Sequence, residues 1–309
     1  MQKPFFENTT PFAQLIMLAF IMLASFLIIS LAGIVFAPVV VGVPINEMMT
    51  IINDSDSVAN LNLMRYLQSL FAIGFFIIPA FFAAWLFSGT AIGYFGLRQS
   101  ASVKWFGATL LFMLTVIPFI NLLALLNEMI VLPESLSGIE QIMKNMEESA
   151  RRSVQLFVNV DSVGGMLFNI FMLAILPAVG EELIFRGLLH KIFLQWTGNI
   201  YITVILTGFL FSLMHLQFYG FFPRWLLGVI LGYMLVWSGT IWIPVFAHFL
   251  QNFIAVFLSW LIYKGTVPEE IEVFGSKWAE IPITIITALI CAGLLWTMRQ
   301  KKWLAIRNS

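Results

Sequence analysis

Eight long apolar stretches, separated by short polar connections, constrain this chain more than any other feature of its sequence. They span residues 12–40, 62–88, 104–127, 163–195, 200–219, 223–238, 241–262 and 281–298. About 20 mostly apolar residues suffice for a helix to cross a bilayer, and helices satisfy their own backbone hydrogen bonds in lipid. The sequence therefore predicts an all-α, polytopic membrane helix bundle of about eight transmembrane helices, with residues 1–309 forming one domain.

Composition supports a lipid environment. Of 309 residues, 60% are hydrophobic and 10% are charged, whereas a soluble domain carries about 25% charged residues. The formal net charge is zero, so no basic field indicates a nucleic-acid partner. The single cysteine, Cys291, excludes an intrachain disulfide. The first apolar stretch exceeds the roughly 7–15 residues of a signal-peptide core, so we expect a retained first transmembrane helix.

The charged residues between the apolar stretches predict the orientation. Connections 43–61 and 263–280 are acidic, connection 89–104 carries Arg98 and Lys104 without an acid, and the C-terminal tail is basic. Because Lys and Arg favour the cytoplasmic side, we expect both termini in the cytoplasm, with the chain in a bacterial cytoplasmic membrane.

Segment 134–159 differs from the apolar stretches. Its apolar residues recur at helical spacing, with charged residues on the opposite side. This pattern predicts an amphipathic helix on the outer membrane face, serving as a structural cap or, alternatively, as a substrate gate.

The fourth apolar stretch contains three adjacent or nearby ionisable residues. Such residues cost about 2.5–3.5 kcal/mol each within a membrane helix. Glu182 and Arg186 are four residues apart and can pair on one helix face. Glu181 points about 100° away and lacks that partner. It is therefore available as a general base or acid.

Two histidines occupy comparable places in later stretches. Glu181 lies seventeen residues before Gly198 and His215 lies seventeen after it, so both are about 25 Å from the tip of the hairpin. His248 is followed by Asn252 on the same helix face. Each pattern alone also fits a structural ion pair or a polar contact between helices, but their combination favours a functional site.

The sequence lacks the motifs of several hydrolase classes. It contains no H-E-x-x-H zinc helix, no G-x-S-x-G nucleophile elbow and no pair of aspartates within its apolar stretches. The chemistry that remains is Glu and His acting on water, with His and Asn as hydrogen-bond donors to an oxyanion.

Three motifs in order resemble those of the CPBP family. They are Glu181-Glu182-x-x-x-Arg186, Phe211-x-x-x-His215 and His248-x-x-x-Asn252. This family, also called Abi, comprises type II CAAX prenyl endopeptidases and bacterial bacteriocin-processing or self-immunity proteins. The resemblance covers residues 163–262, which we interpret as a CPBP-like catalytic core.

The resemblance implies an intramembrane endopeptidase with water activated by Glu181 and His215. His248 and Asn252 would stabilise the oxyanion. Structural support would come from Glu182, Arg186 and Phe211. The expected partners are the lipid bilayer and a membrane-anchored or prenylated peptide or protein.

Two alternatives stay open at the sequence level. Members of the family are named metalloproteases, so zinc held by Glu181, His215 and His248 is an alternative to a glutamate mechanism without a cofactor. A non-proteolytic bacteriocin self-immunity or peptide-binding membrane protein is the alternative function. A transporter fits less well because the charges gather at one depth rather than along a pathway.

Overall fold

The computed structural model describes residues 6, 9–53 and 61–300, and within them the chain is helical without a strand. The predicted all-α fold is thus confirmed. Each continuous helix that contains a π-helical turn is given a single label. In chain order, the helices are α1 (Pro11–Val40), α2 (Ile45–Asn53), α3 (Leu61–Ser88), α4 (Ala91–Phe95), α5 (Val103–Thr115), α6 (Ile117–Glu128), α7 (Ser137–Val158), α8 (Val163–Thr197), α9 (Ile200–Leu213), α10 (Phe221–Ser238), α11 (Trp242–Tyr263) and α12 (Ile281–Gln300).

Within the described residues, six helices are long and apolar enough to cross a membrane: α1, α3, α8, α10, α11 and the helix that contains α12. Helices α5 and α6 form a seventh span if they are counted together, although they bend by 44° between Thr115 and Ile117. Pro118 lies in the first turn after this bend. The protein is therefore an integral multi-pass membrane protein, but the predicted number of eight spans is not confirmed.

The predicted fifth span, 200–219, is shorter than expected. Helix α9 ends at Leu213 and has 14 residues, or about 21 Å at 1.5 Å per residue, against a hydrocarbon core about 30 Å thick. The backbone turns after it, and Leu216 has a positive φ of 52°. His215 consequently lies in this turn and not on a membrane-spanning helix.

Two π-helical turns precede prolines by the same interval. The turn Ile73–Ile77 in α3 is followed by Pro79, and the turn Phe171–Ile175 in α8 is followed by Pro177. Proline has no N–H for the α-helical hydrogen bond, and a wider turn is one way for a helix to accommodate this defect. A third π-helical segment, Leu183–Leu189 in α8, contains no proline and begins directly after Glu182.

The core consists mainly of two apolar clusters. One cluster is built largely by α1, α3 and α8, and the other by α5, α10, α11 and α12. Gly180 allows α8 to approach α3 closely, because a Cβ there would lie 2.8 Å from Cβ of Phe76. The next two residues, Glu181 and Glu182, follow this close helix contact directly in the sequence.

The amphipathic segment is observed as helix α7, close to the predicted range 134–159. Its apolar side chains Ile142 and Val154 are 60% and 42% exposed, whereas Phe157 and Val158 at its end are buried. The exposed apolar face fits a helix on a membrane surface. Its placement on the outer face stays a prediction. Some residues that predicted the orientation lie outside the described residues: Asp54, Asp56, Lys301, Lys302 and Arg307.

Candidate active site

The predicted ion pair between Glu182 and Arg186 is present and fully buried. Nη1 of Arg186 donates a hydrogen bond of 2.8 Å to Oε1 of Glu182, and both side chains are 0% exposed. Nη2 of Arg186 donates to the carbonyl oxygen of Gly228 in α10 at 2.8 Å. Two buried charges inside a membrane protein require such mutual compensation. The additional hydrogen bond from Arg186 to Gly228 ties α8 to α10.

Glu182 has a second partner that the sequence did not predict. Nδ1 of His248 in α11 donates to the same Oε1 atom at 2.9 Å. His248 is buried, with 5% of its surface exposed. A hydrogen bond on one ring nitrogen fixes the orientation of the ring and determines which atom remains for chemistry. Glu182 therefore positions His248, in addition to neutralising Arg186.

Glu181 differs from its neighbour in having no fixed partner. Its Oε2 atom is buried and has no hydrogen-bond partner among the described residues. This atom lies 3.9 Å from Nε2 of His248, which is too long for a direct hydrogen bond. The side chain is 13% exposed. The predicted contrast between a paired Glu182 and a free Glu181 is thus observed.

His215 is held by the backbone of its own segment. Its Nδ1 atom lies 2.8 Å from the carbonyl oxygen of Phe211. Because a carbonyl oxygen only accepts hydrogen bonds, Nδ1 must carry the proton. In the neutral ring, Nε2 is then the atom able to accept a proton, which is what a general base requires.

Phe211 packs between the charged groups and both histidines. Its ring centroid lies 5.1 Å from that of His215 and 5.5 Å from that of His248, in edge-to-face geometry. The guanidinium carbon of Arg186 lies 4.8 Å from the same ring. Phe211 is 4% exposed, so its ring is buried among these side chains.

A cavity of about 240 Å³ opens beside these residues. His215, His248 and Asn252 all line it, together with Phe211. Asn252 lies one helical turn after His248 on α11, as the spacing predicted. Three of the four predicted catalytic side chains therefore share one cavity. The fourth, Glu181, is not among its lining residues, but its Oε2 atom lies 3.9 Å from Nε2 of His248.

Residues 163–254 match the family model described as type II CAAX prenyl endopeptidase Rce1-like. This segment, called the Rce1-like segment below, is therefore similar to that family. It contains every motif residue from Glu181 to Asn252, and the resemblance expected from the three motifs is confirmed over its length.

A second comparison finds a bacterial relative. The chain is 35% identical over 91 residues to the sporulation-killing factor biosynthesis protein SkfC of Bacillus subtilis (strain 168). The match covers 27% of this chain and 18% of the length of SkfC, so the similarity concerns a segment of each protein. No solved structure matches the chain.

The Rce1-like segment contributes two further polar residues to the cavity, Arg224 and Gln251. Arg224 donates hydrogen bonds to the carbonyl oxygen and to Oε1 of Gln217, at 3.0 and 2.8 Å. Gln217 in turn donates to Oε1 of Glu147 in α7, at 3.2 Å. The signal for Arg224 was available in the sequence, because it is an ionisable residue at the start of an apolar stretch.

The zinc alternative named Glu181, His215 and His248 as ligands. Among the described residues, no group of three His, Cys, Asp or Glu side chains is placed so that it could hold a metal ion. Glu181, His215 and His248 therefore do not form, as placed, a three-ligand set that fits a zinc ion.

Proposed function

We propose that this chain is an intramembrane endopeptidase that hydrolyses a peptide bond of a membrane-anchored or prenylated peptide or protein. One observation carries the proposal: His215, His248 and Asn252 line one cavity inside a membrane helix bundle, with the unpaired carboxylate of Glu181 3.9 Å from His248. The Rce1-like match over residues 163–254 supports the same reaction class.

Glu181 and His215 supply the groups that activate water. The oxygen of a water molecule attacks the carbonyl carbon of the substrate, and its proton passes to the carboxylate of Glu181 or to Nε2 of His215. The peptide C–N bond then breaks, and the same proton transfers to the departing nitrogen. The products are a new amine and a new carboxylic acid, which then ionises by releasing its remaining proton to water. General base catalysis of this kind contributes about 10²–10⁴-fold in rate.

His248 and Asn252 supply hydrogen-bond donors to the oxyanion that forms on the carbonyl oxygen. Asn252 offers its side-chain NH₂ group. Because Nδ1–H of His248 donates to Glu182, donation from Nε2 requires the charged imidazolium. Glu182 and Glu181 flank this ring, and their negative charges would compensate the positive charge of that imidazolium. One oxyanion donor is worth about 10²–10³ in rate.

The alternative is a self-immunity or peptide-binding membrane protein without proteolysis. Such a protein would use the cavity to hold a peptide and would not need a carboxylate without a partner beside a histidine. The buried Oε2 atom of Glu181, which has no hydrogen-bond partner among the described residues and lies 3.9 Å from His248, supports the peptidase over the binding alternative. We further propose that both termini lie in the cytoplasm, on the basis of the charged connections.

Comparative proteomics of membranes tests the function even though the substrate is unidentified. Cells with the wild-type chain are compared with cells carrying Glu181→Ala or, as a control, Glu148→Ala on the exposed surface of α7. We expect uncleaved forms of one or more membrane-associated proteins to accumulate only with Glu181→Ala. Identical membrane proteomes for all three, with equal expression, would contradict proteolysis and favour the binding alternative.

A further inference from the structure

A second cavity, of about 460 Å³, lies where α4, the last turns of α8 and the end of α10 meet. It shares no lining residue with the cavity of the candidate active site, within the part of the chain that the structure describes. Its polar side chains come from Gln99, Arg186, His190 and Lys191. No Asp or Glu is among the described residues that line it. Because Glu182 already compensates the charge of Arg186, the uncompensated positive charge of this lining is that of Lys191.

Lys191 is a cation without an anionic partner in this cavity. Its Nζ donates to the carbonyl oxygen of Tyr94 and lies 4.0 Å from the centroid of the Tyr94 ring. None of the ion pairs formed by the described residues includes Lys191. A positive charge on a membrane helix is costly without a counter-charge, and an anion in the cavity would lower this cost.

Two buried nitrogen atoms of the cavity wall lack hydrogen-bond partners. Nδ1 of His190 and Nε of Arg186 are both buried and have no hydrogen-bond partner among the described residues. His190 is 5% exposed and Arg186 is 1% exposed. Buried polar atoms without partners are costly, and both residues line the same cavity as Lys191. Lys191 therefore offers its ammonium group to a ligand rich in oxygen acceptors, in a wall where two neighbouring side chains have unused hydrogen-bonding nitrogen atoms.

We propose that this cavity binds the phosphate group of an anionic ligand. Phosphate oxygens accept several hydrogen bonds from Arg and Lys, and basic pockets between membrane helices bind the head groups of anionic phospholipids. The exposed residue Arg98, in the connection between α4 and α5, directly precedes the wall residue Gln99 in the sequence. The phosphate can belong to a phospholipid head group or to free phosphate, and the experiment below separates these two sources.

Thermal unfolding of the full-length protein in neutral detergent provides the test. Dioleoyl-phosphatidylglycerol, dioleoyl-phosphatidylcholine and inorganic phosphate are each titrated, and the melting temperature is followed. We expect a saturable rise with phosphatidylglycerol and none with phosphatidylcholine. Lys191→Gln should weaken the apparent affinity about fivefold, as expected for about 1 kcal/mol per basic residue. Lys191→Arg should retain binding because it keeps the charge.

Lys104→Gln is the matched control, because Lys104 is exposed in the same region of the chain but does not line the cavity. It should bind like the wild type. If Lys191→Gln fails to fold, Gln99→Leu replaces an exposed wall residue and should also weaken binding. A saturable, Lys191-dependent response to inorganic phosphate alone would identify free phosphate as the ligand. No saturable response to either anion, or equal losses in Lys191→Gln and Lys104→Gln, would overturn the proposal.

Discussion

Nδ1 of His248 lies 2.9 Å from Oε1 of Glu182, although the two residues are 66 positions apart in the chain. The same oxygen accepts a hydrogen bond from Arg186 at 2.8 Å. One buried carboxylate thus joins α8 to α11, neutralises a buried cation and orients a ring of the candidate active site. Stability and activity should depend on it in separable ways.

The first prediction concerns the substitution Glu182→Gln. It leaves Arg186 as a buried charge without a counter-charge, and removing one partner of a buried pair costs about 3–5 kcal/mol. We expect a clear loss of melting temperature in detergent and lower expression in membranes. The double variant Glu182→Gln with Arg186→Met removes both charges and should recover part of the stability.

Activity should not recover in that double variant, because His248 still lacks the carboxylate that orients it. Measuring both melting and cleavage separates the two roles of Glu182. Glu148→Gln, which alters an exposed pair with Arg152 on α7, is the control and should change neither. Wild-type cleavage by the stable double variant would show that the bond between His248 and Glu182 has no part in catalysis.

The second prediction concerns the contact between α9 and α10. A Cβ on Gly228 would lie 2.9 Å from Cα and 3.0 Å from the carbonyl oxygen of Gly208, so Gly228→Ala forces the two backbones apart. Overpacking of this kind costs about 1–3 kcal/mol. Gly107→Ala in α5 is the matched control, because a Cβ there meets nothing within 4 Å. Equal melting temperatures for the two variants would contradict the close helix contact.

Local patterns in the sequence predicted the all-α fold and the pair between Glu182 and Arg186, because both depend on residues within one helix. The contact between Glu182 and His248 was not predictable in this way. It depends on how α8 packs against α11, which no local spacing specifies. The spacing of His248 and Asn252 and the resemblance to a family both predicted His248 in the site, but neither predicted its bond to Glu182.

The length of α9 was wrong in the sequence analysis for a different reason. Residues 214–219 remain largely apolar, so hydropathy alone extends the fifth span to 219. The backbone nevertheless leaves the helix after Leu213, and Leu216 adopts a left-handed conformation. Arg224 donates hydrogen bonds to the backbone carbonyl oxygen and to the side-chain Oε1 of Gln217 in this turn. Hydropathy does not detect such a tertiary contact.

The third prediction concerns the pH dependence of α7. Burial raises the pKa of Glu147 above its ordinary value, with nearby Arg224 opposing and Glu128 adding to the shift. A carboxyl group with a raised pKa in the docked state favours docking when protonated. Docking of α7 should therefore weaken as the pH rises from about 4.5 towards neutrality.

Hydrogen exchange of the amides in 137–158, corrected for intrinsic exchange rates, measures this effect. Glu147→Gln is uncharged at every pH and should remove the dependence. A wild-type segment whose corrected protection stays constant over this range, or rises with pH, would show that Glu147 does not control its docking.

The fourth prediction concerns topology. The basic connection with Arg98 and Lys104 should lie in the cytoplasm and the acidic connections outside, because Lys and Arg favour the cytoplasmic side. The short α9 does not alter this order, since α10 returns the chain to the membrane face from which α9 starts. Reporter fusions at positions 50, 96, 140 and 270 should read outside, inside, outside and outside. A periplasmic signal at position 96 would contradict the orientation.

Cleavage by the Glu181→Gln variant is the most direct measurement of the proposed mechanism. The purified protein is reconstituted in lipid and given a prenylated peptide that ends in a CAAX sequence, with release of the C-terminal fragment followed by mass spectrometry. Glu181 has no partner for Oε2 among the described residues, so Glu181→Gln should melt like the wild type. Its cleavage rate should fall by about 10²–10⁴-fold or more. Cleavage at the wild-type rate by a folded Glu181→Gln protein would contradict the role of Glu181 and leave these residues as a structural cluster.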